Sequence, residues 1–136
     1  MKKILFILTM FFFLGSYAQE KKEITTPVLT VKLLKGEAYS WDNYSILFKE
    51  VVADSRCPSD VTCVWAGEAK INITLTQNGK LIDSQEVVLA NSEKNVTSFY
   101  LAEKSFRVYG LMPYPTTQMK KEKNIDYSIR LEIPSE

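Results

Sequence analysis

The sequence predicts an antiparallel β-sandwich, immunoglobulin-like in general outline, over residues 28–136, with a small β-barrel as the alternative. Three observations carry this expectation. Apolar residues recur with period two along the chain, turn residues separate those runs, and no window holds an apolar helical stripe longer than two turns.

Taken in order, residues 28–34 form a β-branched and leucine run that Gly36 ends. Residues 44–52 alternate, with Tyr44, Ile46 and Phe48 on one face, and lose phase at Glu50-Val51-Val52, where a bulge or strand end is expected. The cleanest strand is 69–77, in which Ala69, Ile71, Ile73 and Leu75 alternate with Lys70, Asn72, Thr74 and Thr76. Asn78-Gly79 follows at once, the dipeptide suited to positive φ at both centres of a type I′ turn, so residues 80–90 are expected to return as the partner strand. Residues 96–101 and 105–111 read as two more strands, the second with Phe106, Val108 and Gly110 on one side. Met112-Pro113-Tyr114-Pro115 then breaks the ladder, because proline has no amide hydrogen. Residues 119–124 read as a charged loop, and 125–133 as a closing strand with Tyr127, Ile129, Leu131 and Ile133 on the core face. No internal repeat is visible.

The amino terminus has a different character. Met1-Lys2-Lys3 precedes an apolar run over residues 4–14 interrupted only by Thr9, and Ser16 and Ala18 supply small residues at minus three and minus one. This is the tripartite pattern of a secretory signal, with cleavage expected after Ala18, and its Lys-Lys start and brevity look bacterial. The run is shorter than the roughly 20 apolar residues that span a bilayer. No cysteine follows the cut to carry a lipid. The expected product is therefore soluble, exported to the periplasm or beyond the cell, with residues 19–27 as a flexible polar lead-in.

Removing residues 1–18 from 136 leaves 118, enough for one domain with its own core. Fifteen basic residues then face 16 acidic ones, a balance that argues against nucleic acid or an anionic membrane as partner. The chain has no histidine, which removes His-based acid–base catalysis, Ser-His-Asp and Cys-His nucleophiles, and ordinary His-ligated metal sites. The expectation is a protein that is not an enzyme and needs no cofactor. Its two cysteines, Cys57 and Cys63, read first as one disulfide of an exported protein.

Chemistry-bearing residues concentrate between Asp54 and Ala69, in the string Asp54-Ser55-Arg56-Cys57-Pro58, a short loop, then Cys63-Val64-Trp65-Ala66-Gly67-Glu68-Ala69. The string resembles a motif, Asp-Ser-Arg-Cys-Pro followed by Cys-x-Trp-x-Gly-x-Ala, of an uncharacterised family of small secreted bacterial β-domains. The resemblance covers about 16 residues, with a weaker likeness in the closing strand. It implies an envelope domain and no particular chemistry.

Several candidate roles follow from these residues. Five residues between the cysteines permit a bridge, worth roughly 2 to 2.5 kcal/mol for so short a loop. It stiffens the loop more than it holds the domain together. A redox-active dithiol is the weaker reading, because the spacing is not Cys-x-x-Cys. Asp54 or Glu68 is expected to hold Arg56, with Asp54 and Ser55 accepting loop amides. A sharper alternative groups Asp54, Asp60 and Glu68 around calcium, although the spacing is not that of an EF-hand and no metal is expected. Trp65 either covers the disulfide or the sandwich end, or stands exposed for a ligand, and Gly67 permits a bulge or a close backbone approach. The expected function is a non-catalytic envelope or secreted binding module for a protein or small ligand. Its candidate site is loop 54–68, with Asp54, Arg56, Asp60, Trp65 and Glu68 as contact residues. The alternative is a secreted peptidase inhibitor that presents this constrained loop.

Overall fold

A computed structural model describes residues 28–90 and 96–134. The expected signal over 1–18, the lead-in over 19–27 and the linker at 91–95 lie outside the described residues. Among the described residues, eight strands form two open antiparallel sheets: β1 (Leu29–Leu34), β2 (Ala38–Trp41), β3 (Tyr44–Asp54), β4 (Glu68–Gln77), β5 (Lys80–Ala90), β6 (Val96–Leu101), β7 (Lys104–Met112) and β8 (Ser128–Ile133). One sheet has the order β1-β8-β7-β6 and the other β2-β3-β4-β5. Each sheet ends in edge strands, so the barrel alternative falls. The second sheet is a simple meander, and the likeness to an immunoglobulin domain stops at the outline.

The core lies between the sheets because alternation aims one face of every strand inward. Ile46, Phe48, Ile71, Ile73, Leu75, Val87 and Leu89 of one sheet meet Leu33, Phe99, Leu101, Phe106, Val108, Leu111, Ile129, Leu131 and Ile133 of the other. The Asn78-Gly79 turn has φ of 51° and 77°, as the sequence predicts. The phase loss in β3 is two register shifts, between Phe48 and Glu50 and between Val51 and Ala53. Bulges of this kind locally bend a strand and raise its twist.

Four features differ from expectation. The short edge strand β2 pairs with Tyr44–Leu47 by residues 38–41, which alternation over four residues does not reveal. Gly110 does not share the core face of Phe106 and Val108: it sits at φ 70° in a bulge, and Leu111 takes the inward position. A one-and-a-half-turn helix, α1 (Thr117–Glu122), replaces the start of the loop expected over 119–124. Its first turn is capped by the Thr116 hydroxyl, which accepts from the Met119 amide at 3.3 Å. Finally, β8 begins at Ser128 rather than residue 125, and the buried Ile125 belongs to the connection from α1.

Candidate functional site

Loop 55–67 joins β3 to β4 at one end of the sandwich and continues their ladder for two rungs. The Ser55 amide donates to the Glu68 carbonyl and the Cys57 amide to the Ala66 carbonyl, both at 2.8 Å. The Ser55 hydroxyl seals the same neck, donating to Glu68 O at 2.9 Å and accepting from Glu68 N at 3.1 Å. Gly67 is required here twice over. Its φ is +71°, and a Cβ would lie 2.0 Å from the Ser55 carbonyl oxygen. Beyond the neck, the Cys57–Cys63 disulfide closes the tip with its Cα atoms 5.9 Å apart. Such a bond suits an oxidising, extracytoplasmic environment.

Arg56 is 5% exposed and ties three segments together. Its Nε and Nη2 donate to the two carboxylate oxygens of Asp54 at 2.8 and 2.7 Å, the bidentate fork that arginine makes best. Nη1 donates to the Leu111 carbonyl at 2.7 Å and Nη2 also to the Pro113 carbonyl at 3.2 Å, while the Tyr114 ring lies 4.9 Å from the guanidinium carbon. The Tyr127 hydroxyl donates to Asp54 Oδ2 at 3.0 Å. Burial alone would raise the Asp54 pKa; the hydrogen bonds and charge of Arg56, with the Tyr127 hydroxyl, outweigh it and hold the carboxyl below its ordinary range. Burial and the neighbouring Asp54 carboxylate push Tyr127 up to about 12.

The same side of the loop is pinned to α1 and the segment before it. Ser59 N donates to the Pro115 carbonyl at 3.0 Å. Lys120 Nζ reaches the carbonyls of Asp54 and Arg56. Asp60 Oδ1 accepts the Thr117 amide at 2.8 Å, and that bond chiefly lowers the carboxyl's pKa.

The candidate residues are thus dispersed. Asp54 faces inward, whereas Glu68 adjoins the buried Ala69 and points to the opposite face of the sheet, 3.8 Å from Lys70. Of the two carboxylates proposed for Arg56, Asp54 holds it. Asp54, Asp60 and Glu68 have three separate sets of partners and do not converge on a cation. Trp65 does not cover the disulfide: it is 84% exposed, beside a fully exposed Val64 and a half-exposed Val61. Residues 61–66 are all exposed.

Sequence reasoning missed the rest of the Arg56 hub. Tyr127 packs against the core, as its place in the alternation predicts, but it precedes β8 and its hydroxyl goes to Asp54, which alternation does not show. The carbonyls of Leu111 and Pro113 carry no residue signature, and Lys120 shows in the sequence only as one charge of the loop expected over 119–124. No protein-family model, curated protein or solved structure matches the chain.

Proposed function

We propose that this protein is an exported, non-catalytic binding module that takes a partner in the cell envelope on the exposed arm of its disulfide loop, residues 61–66. One observation carries the reading: Val61, Val64 and Trp65 hold their apolar side chains in solvent on a loop whose base is fixed by a neck, a disulfide and a buried ion pair. Exposed tryptophan on a rigid support is favourable for recognition, since little conformational freedom remains to be lost on contact. The absence of histidine from the whole chain removes His-based catalysis from the possibilities. A peptidase inhibitor draws less support, because the chain bends at Val64 and Trp65 instead of offering an extended segment to a cleft.

Affinity capture from an envelope extract of the source cells tests the proposal. Wild-type protein recovers a partner, Trp65→Ala loses most of it, and the Cys57→Ser/Cys63→Ser pair recovers an intermediate amount. Equal recovery by all three forms contradicts the assignment of the loop.

A further inference from the structure

On the outer face of the other sheet, β1 and β8 pair so that Lys32 lies directly opposite Arg130. Both side chains point outward, because their neighbours Leu33, Ile129 and Leu131 are buried. Directly opposed residues have Cβ atoms about 5 Å apart, and like charges there destabilise the pairing. Among the described residues, neither cation has a carboxylate partner. Glu132, two positions along β8, is taken by Arg107 at 3.3 Å and by the Tyr109 hydroxyl. The chain as a whole is close to neutral, so this doublet is a local feature and not a sample of general basicity.

A concavity adjoins the doublet. The bulge at Tyr109-Gly110 stands opposite Arg130, since Val108 pairs with Leu131 and Leu111 with Ile129. The cleft beside it, about 260 Å³, is lined by Lys32, Tyr109, Met112, Ser128, Ile129 and Arg130. Met112 is half-exposed and Tyr109 is partly so, which gives the cleft an apolar and aromatic wall next to its two charges.

We infer that this cleft binds a phosphate monoester, with the phosphate between Lys32 and Arg130 and the organic group against Tyr109 and Met112. Two unpaired cations match a dianion, and the guanidinium fork fits two phosphate oxygens at once. The bound anion relieves the repulsion that the sheet otherwise carries. The volume suits a small ligand with one ring and no more. None of these residues belongs to loop 54–68, so the inference stands apart from the partner-binding reading.

Phenyl phosphate is the probe, titrated into the full exported chain by calorimetry and followed by melting temperature. Saturable binding is expected, with a rise in melting temperature. Benzoate, with one charge, binds at least about tenfold more weakly, the scale of one lost charged hydrogen bond, and inorganic phosphate, with no ring, is weaker by about the same factor through its lost apolar contact. Lys32→Gln and Arg130→Gln each weaken phenyl phosphate by a similar factor, and unliganded Arg130→Gln melts no lower than wild type because the repulsion is gone. Absence of saturation at millimolar phenyl phosphate, or wild-type affinity in the Lys32→Gln/Arg130→Gln double variant, overturns the inference.

Discussion

Residues 55–60 and residues 61–66 are the two arms of one disulfide-closed loop, and they have opposite relations to the domain. The first arm gives up its side chains and amides to the protein: Arg56 to Asp54, Leu111 and Pro113, Ser59 to Pro115, and Asp60 to Thr117. The second arm returns little beyond the Val61 amide, which donates to the Pro58 carbonyl at 3.3 Å, the Ala66 carbonyl and the Cys63 sulfur, and it holds Val64 and Trp65 in solvent. The difference shows where the loop serves the fold and where it is left to solvent. Under the proposed function, substitutions in the first arm are expected to act on folding, and those in the second on partner capture.

The largest effect is expected at the hub. Arg56→Met leaves the Asp54 carboxylate covered and unpaired, with the carbonyls of Leu111 and Pro113 missing their donor. A loss of roughly 3–5 kcal/mol is expected from urea unfolding, since removing one partner of a buried ion pair strands the other. Next comes the bridge between the arms. The Cys57→Ser/Cys63→Ser pair is expected to cost about 2 kcal/mol by the same measurement, with the sandwich still folded, because a loop this short restricts the unfolded chain only modestly.

The hub also sets a pH window for stability. Asp54 titrates in the folded protein below its ordinary value of 3.8, so its contribution is complete above that value and is lost as pH falls through the folded pKa. Tyr127 titrates at about 12 against an ordinary 10.0, so its contribution is complete below pH 10 and is lost as pH rises toward 12. Tyr127→Phe is expected to cost about 1 kcal/mol at neutral pH, the scale of one hydrogen bond. Unfolding midpoints measured across the alkaline range should then fall less steeply in the variant than in wild type. Trp65→Ala completes the series at the small end: a change within about 0.5 kcal/mol in stability, as for a residue 84% exposed, beside a large loss of partner capture.

The contrast between the arms was only partly legible in the sequence. Period two exposed β3, β4, β7 and β8 because each buries one face against the other sheet, and Asn78-Gly79 announced β5 as the partner of β4. The β6–β7 turn gave no such sign. It places Ala102 and Glu103 at φ of 45° and 65°, a conformation usually left to glycine or asparagine, and Asp83 of β5 accepts the Ala102 amide at 2.8 Å. β2 and α1 are too short for either period to emerge. At the site, the sequence offered Asp54 and Glu68 as partners of Arg56, and the choice falls to Asp54 because Glu68 stands on the opposite face of the sheet. The partners of Arg56 that lie 55 and 57 residues away are backbone carbonyls, and no side-chain pattern announces them. The exposure of Trp65 was open for the same reason: Cys-x-Trp fixes its place in the chain and not the side of the loop on which it stands.

Amide hydrogen exchange, resolved residue by residue on the oxidised protein, tests the division of the loop most directly. The amides of Ser55, Cys57 and Ser59, bonded to the carbonyls of Glu68, Ala66 and Pro115, should be protected. Those of Val64 and Trp65 should exchange at the rate of an open chain. Protection of similar size along the whole of residues 55–66, or its absence from both arms, contradicts the account.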